Sequence, residues 1–276
     1  MSKMASTLTR SALTALAAAS YLGTIAAANA AGYKETDFFV GGPGAKPGST
    51  TTPPTLTDAN GIVHTAICGD ANLANCLDPN LVNAWGLTES TTVGTTLGSP
   101  FWVSDNGSGK STLYNVPHLT PLTATKNARI VSIPSPDEPS GGGTPTGNAW
   151  NPTSRAAAAS QEFKITGYLF TATGTAPTAT ATCSTTKTTA TAAFLFATED
   201  GTIVGWSSTL FPATPAGLAA CQAAAAAVPV GTVNPNVTPN NTGIIAVDNS
   251  ARGNGNKGKG YGQGAVYKGL AIATTL

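Results

Sequence analysis

Phe101-Trp102-Val103-Ser104-Asp105 runs into Asn106-Gly107-Ser108-Gly109, and the chain resumes as Ser111-Thr112-Leu113-Tyr114-Asn115. Two β-favouring runs on either side of a Gly-rich turn predict a hairpin. The same pattern recurs at Ala193-Phe194-Leu195-Phe196-Ala197-Thr198, with Glu199-Asp200-Gly201 as the turn and Thr202-Ile203-Val204-Gly205-Trp206 as the return. Further strands are predicted at Arg129–Ile133, Phe163–Thr171, Gly243–Val247 and Ala265–Ala273. Helical periodicity is nearly absent; only Pro215–Val228, rich in Ala and closed by Pro229, predicts a short helix. Short strands between turns indicate an all-β protein.

A longer period overlies the hairpins. Trp85-Gly86-Leu87-Thr88 stands ahead of the first one, and a weaker copy, Thr146-Gly147-Asn148-Ala149, ahead of the second. Lys268-Gly269-Leu270-Ala271 has the same shape. A recurring Gly-apolar strand followed by a hairpin suggests successive β-propeller blades, in which Gly lets the innermost strands approach closely. A β-sandwich accounts for the short strands equally well, but not for the recurring Gly-Leu start. The expected architecture is therefore β-propeller-like and partial, about two blades plus the first strand of a third. Ser140–Thr144 is too Gly-rich for a strand and reads as a connector. Thr171–Thr191, almost all Ala and Thr, and Ala219–Val228 read as low-complexity excursions.

Met1–Ala30 has the form of a secretory signal peptide: Lys3 and Arg10 near the start, an Ala/Leu-rich stretch, then Ala28-Asn29-Ala30 as the cleavage site. Residues 31–77 form an irregular, mobile Gly/Pro/Thr-rich lead-in, leaving 78–276 for the propeller-like domain. The mature chain has no other segment long enough to span a bilayer, so it is expected in the periplasm or outside the cell. There Cys68, Cys76, Cys183 and Cys221 would meet an oxidising environment. No CxxC pair favours zinc. Of three possible pairings, Cys68–Cys76 with Cys183–Cys221 closes two local loops. Chain entropy assigns them about 2.5 and about 4 kcal/mol.

Asp78-Pro79-Asn80-Leu81-Val82-Asn83-Ala84-Trp85-Gly86-Leu87 and Pro100-Phe101-Trp102-Val103-Ser104-Asp105-Asn106-Gly107 resemble an uncharacterised family of exported bacterial proteins with NHL-like propeller repeats. Some of its members carry a PEP-CTERM sorting tail. Phe196–Ile203, Ala246–Ser250 and Val266–Ala271 are similar to the family in the same order. Members continue with further blades, so the resemblance implies that this chain corresponds to their N-terminal part. It implies no catalytic residues. On that reading the segment Ala265–Ala273 is an open edge, and the second blade leaves Phe194, Phe196 or their strand mates bare, favouring poor folding or self-association.

Composition excludes several chemistries. Only 10% of residues are charged, 14 Lys+Arg against 13 Asp+Glu, and no long run of either sign offers a footprint for nucleic acid. Two histidines, His64 and His118, exclude a three-His metal site within one chain. Gly107–Thr112 imitates the end of a phosphate loop, but Ser104 stands where that motif needs Gly and a strand follows where it needs a helix. No GxSxG elbow is present. The remaining metal candidates are Asp105, Glu199, Asp200 and Asp248, carboxylates at strand ends whose oxygens would suit Ca²⁺ but which also cap turns. Trp85, Trp102, Trp150 and Trp206 are either blade core or a sugar platform. The expected function is binding or scaffolding without a cofactor, the partner being a small molecule, a glycan or a cell-surface protein. The alternative is a metal-assisted hydrolase similar to gluconolactonases, using Ca²⁺. Secreted material is expected to begin at Ala31 by intact mass; retention of Met1 in the exported fraction would contradict the signal-peptide reading.

Overall fold

The hairpin at residues 101–115 forms, and it lies at the middle of a four-stranded antiparallel sheet. The computed structural model describes residues 37–90, 99–116, 124–157, 160–174, 180–228, 240–250 and 264–273. His118 and the signal-peptide region lie outside them. The lead-in is irregular, as its composition implies, yet packed. β1 (Thr55–Thr57) pairs with β2 (Val63–Thr65), and Val40, Ala66, Cys68 and Cys76 form a small core. The Cys68–Cys76 disulfide, its Cα atoms 5.5 Å apart, closes that core.

The first large sheet takes β3 (Ala84–Thr88), β4 (Phe101–Asp105), β5 (Lys110–Asn115) and β6 (Thr125–Ser132) in chain order. The second begins with β7 (Pro145–Trp150), after which the chain leaves it for a long ribbon, β8 (Lys164–Thr173) and β9 (Thr180–Thr191). It returns as the second predicted hairpin, β10 (Phe194–Thr198) and β11 (Thr202–Trp206), and leaves again through β12 (Leu210–Pro212) and α1 (Pro215–Ala226). It then closes the sheet with β13 (Ile244–Asp248) in the order β7-β10-β11-β13. β12 joins the ribbon as a third sheet, β12-β8-β9. The protein is thus all-β in class, built of antiparallel sheets of which none closes on itself.

Two expectations need correction. The Ala/Thr-rich stretch at 171–191 does not wander: most of it pairs with β8 over the whole ribbon. Its threonines are β-branched, and branching at Cβ favours the extended backbone even in a low-complexity sequence. Conversely, Ala265–Ala273 carries no regular strand. Its backbone is held by isolated bonds, Ala265 N–H to Asn249 O and Tyr267 N–H to Thr198 O, rather than by a continuous ladder.

Period-2 alternation decides where the core sits. Trp102, Leu113 and Val131 share one face of the first sheet and meet Phe194, Phe196, Val204 and Trp206 on the facing side of the second. Trp102 lies over Phe194 with ring centroids 4.1 Å apart and touches Trp206 at 4.8 Å. Asn148 Nδ2 donates to Trp102 O at 2.8 Å, bonding the two sheets across this seam. Phe194 and Phe196 are therefore buried rather than bare. Their neighbour Leu195 points the other way and is buried against Ile165, Leu210 and Ile244. The excursions thus cover the second sheet's far face. α1 is started by Thr214, whose side chain accepts from Gly217 N–H, with Pro215 in the first turn. It is fastened by the Cys183–Cys221 disulfide and packs Cys221 among Tyr168, Phe170 and Phe211.

The first strands of the two sheets, β3 and β7, lie side by side. A Cβ on Gly86 would stand 2.6 Å from Thr146 O and 2.9 Å from Asn148 N. A Cβ on Gly147 would collide with the backbone of Gly269 and Leu270. The three Gly-centred segments are thus adjacent, Gly86 and Gly147 each admitting the next backbone. Gly147→Val is expected to cost about 2 kcal/mol or more in urea unfolding, because backbone must move. Gly141→Ala, where an added Cβ meets nothing within 4 Å, should change stability by less than about 0.5 kcal/mol.

Candidate functional site

A linked run of side chains lies at one end of the three adjacent segments. Asn83, just before β3, has φ 52°, a left-handed conformation that Asn tolerates better than most residues. Its Nδ2 donates to Asn106 Oδ1 at 3.1 Å, and Asn106 Nδ2 donates to Glu199 Oε2 at 3.0 Å. Glu199 Oε1 pairs with Lys268 Nζ, and the same ammonium lies 5.2 Å from the centre of the Trp85 ring. The run crosses from the first sheet to the β10–β11 turn and on to the 264–273 segment. The Lys268 hydrogen bond, with that from Asn106, holds the Glu199 carboxyl below its ordinary range. Trp85 keeps 49% of its surface exposed. An open indole beside amides, a carboxylate and an ammonium can offer an apolar ring face together with donors and acceptors.

The four predicted metal carboxylates occupy separate places. Glu199 belongs to the run just described. Asp200 Oδ2 accepts from Thr144 N–H at 2.7 Å and from its hydroxyl at 2.8 Å, tying the Gly-rich connector to the second hairpin. Asp248 Oδ1 accepts from Ser250 N–H and Oγ, as a turn cap does. Asp105 is buried at the end of β4 and accepts from both N–H and Oγ of Thr112. Among the described residues no three His, Cys, Asp or Glu side chains converge as metal ligands.

Asp105 belongs to a buried pair of carboxylates that sequence reading did not find complete. Asp78, also fully buried, accepts the Tyr114 hydroxyl at 3.0 Å and the Asn80 N–H at 2.9 Å. Desolvation, opposed by the Thr112 hydroxyl and reinforced by the Asp78 charge, pushes Asp105 up to about 8. The Tyr114 hydroxyl is raised by the same burial. The only signal for Asp78 in the sequence is its Asp-Pro-Asn context, which reads as a turn and conceals the contact with Tyr114, 36 positions on.

The other candidates resolve into structure. Trp102 and Trp206 are core, Trp150 packs against that core, and Trp85 alone of the four is substantially open. Gly107–Thr112 is a hairpin turn leading into β5, its Lys110 Nζ donating to Ser132 Oγ at 2.9 Å. His64 lies on β2, its Nδ1 3.3 Å from Asp37 Oδ2 and its Nε2 3.7 Å from Asp58 Oδ2. Among the described residues no helix is long and apolar enough to cross a membrane. No family model, curated protein or solved structure matches this chain.

The buried Asp105 yields a pH test. Its folded pKa of about 8 lies above the unfolded carboxyl's roughly 3.9, so the folded state keeps a proton that the unfolded state releases between those values. Stability therefore falls as pH rises through that window and levels off above it. Asp105→Asn is expected to flatten this slope, gaining on the parent at pH 8 relative to pH 5 in urea melts. Parallel profiles would show that Asp105 is not the group responsible.

Proposed function

We propose that this is an exported, propeller-like binding protein whose two large sheets are successive blades and whose ligand is a neutral glycan. The observation that carries the binding reading is Trp85, a half-open indole at the end of the hydrogen-bonded run Asn83–Asn106–Glu199. Indole faces suit the apolar faces of sugar rings, and amide and carboxylate groups suit their hydroxyls. The glycine-centred contacts of Gly86 and Gly147 support the blade reading, since inner strands of adjacent blades approach closely there. The two disulfides fit an oxidising compartment and so support export. The likeness of residues 78–273 to exported NHL-like repeat proteins supports the same reading.

The test is a thermal-shift screen of the disulfide-bonded protein against neutral oligosaccharides, repeated with Ca²⁺ and with EDTA, alongside a lactone-hydrolysis assay. The expected result is a saturable shift with at least one oligosaccharide, indifferent to EDTA and lost in Trp85→Ala and Asn106→Ala. EDTA-sensitive lactone turnover would establish the hydrolase reading in its place, and absence of any oligosaccharide shift would overturn the glycan ligand.

A further inference from the structure

Two Asn-Gly pairs lie among the described residues, Asn60-Gly61 and Asn106-Gly107, and the fold treats them differently. In this dipeptide the glycine nitrogen can attack the asparagine side-chain carbonyl, because glycine has no Cβ to obstruct the approach. The attack needs two freedoms: the side chain must rotate over the following peptide, and that peptide must leave its hydrogen bond. Asn60 and Gly61 are both exposed, in the turn that joins β1 to β2. The Asn60 side chain is tethered within its own turn, Nδ2 donating to Asp58 Oδ2 at 3.4 Å. Gly61 N–H donates to Asp58 O at 3.0 Å, also inside the turn, and a Cβ on Gly61 would meet nothing within 4 Å. These bonds are local and open to solvent, so they break by fraying of the turn alone. Asn106 is held at both ends of its amide instead, Oδ1 accepting from Asn83 and Nδ2 donating to Glu199. Gly107 N–H donates to Val82 O at 3.0 Å, and a Cβ on Gly107 would stand 2.6 Å from Val82 Cγ1. Freeing this pair means parting segments that are distant in the chain.

We propose that Asn60 is a site of spontaneous deamidation, and that the bonds to Asn83 and Glu199 keep Asn106 from the same reaction. At Asn60 the Gly61 nitrogen forms a bond to Cγ, and the Cγ–Nδ2 bond breaks. The departing amide group takes the Gly61 proton and leaves as ammonia. Water then opens the resulting succinimide at either carbonyl, giving aspartate or isoaspartate. Either product places a new carboxylate beside Asp58, whose own carboxyl is held below its ordinary range, chiefly by the Ile62 N–H. The isoaspartyl form also lengthens the main chain by one CH₂. That puts out of step the two amides, of Asn60 and Ile62, that Asp58 Oδ1 accepts at 2.9 and 2.8 Å. Chemical ageing therefore falls on the β1–β2 hairpin and spares the run of side chains at Trp85. The inference rests on neither the glycan nor the blade reading.

The experiment is peptide mapping of the disulfide-bonded protein during incubation at pH 8 and 37 °C, with a reduced, urea-unfolded sample alongside. In the unfolded sample both pairs are expected to convert at similar rates. In the folded protein Asn60 is expected to give aspartate and isoaspartate, identified by the mass gain of an NH₂-to-OH exchange and by isoaspartyl methyl transfer. Asn106 should lag it by about tenfold or more, because its pair reacts only through a costlier opening. Asn83→Gly keeps a residue suited to the left-handed backbone while removing the Nδ2 donor. That variant is expected to speed Asn106 and leave the Asn60 rate unchanged. Asn60 intact in the folded protein when the unfolded sample has converted overturns the inference, as does Asn106 converting as fast as Asn60. An Asn106 rate unmoved by Asn83→Gly would overturn the protecting role of its bonds.

Discussion

The stack of Trp102 on Phe194, with Trp206 against the same indole, is the contact on which the rest of the structure depends. A twisted sheet with one apolar face cannot stand alone in water, and two such faces must find each other. Once Trp102, Leu113 and Val131 commit one face of the first sheet to the second, β3 is carried alongside β7. At that separation only glycine fits at position 86. The polar groups caught in the seam follow from the same packing. Ser104 and Ser111 are wholly buried, and Asn148 spends its amide on the Trp102 carbonyl.

The second sheet faces a different problem, because its far side is equally apolar. The chain solves it with material inserted between its own strands. The ribbon leaves after β7, the helix leaves after β11, and their side chains converge on Leu195 and Ile165 on one side and on Tyr168 and Phe211 on the other. The second sheet is thereby sandwiched, while on the other face of the first Phe39 lies against Tyr114 and Leu87 remains exposed.

Both hairpins, α1 and the disulfide pairing were legible in the sequence because each is a local signal: a Gly-rich turn, a Thr-Pro helix start, an even set of cysteines. The order of the Gly-centred segments was legible from repetition alone. What escaped was decided by partners distant in the chain. Residues 180–191 look like linker by composition, and they become a strand because β8 offers a ladder. Residues 265–273 look like a strand by composition and lack one. Of the candidate site, Glu199 and Trp85 were named in advance. Asn83, Asn106 and Lys268 were not selected as site residues, since amide and lysine side chains near turns carry no pattern until the fold joins them. Asp78 was hidden for the same reason: nothing in its neighbourhood announces Tyr114.

The placement of the four cysteines imposes an order on oxidation. A chain made from its N-terminus exposes Cys68 and Cys76 together, only 8 positions apart, and they can close before Cys183 has been synthesised. Cys183 then waits through 38 positions for Cys221, across the whole second hairpin, with no earlier thiol left to capture it. Order of emergence would thus work against wrong pairings alongside the geometry, which sets the Cα atoms of each pair 5.5 and 5.7 Å apart. The second bridge also joins two separate departures from one sheet, so it can close readily only after β10 and β11 have turned back on each other. Its formation marks the moment at which the second sheet has acquired its shape.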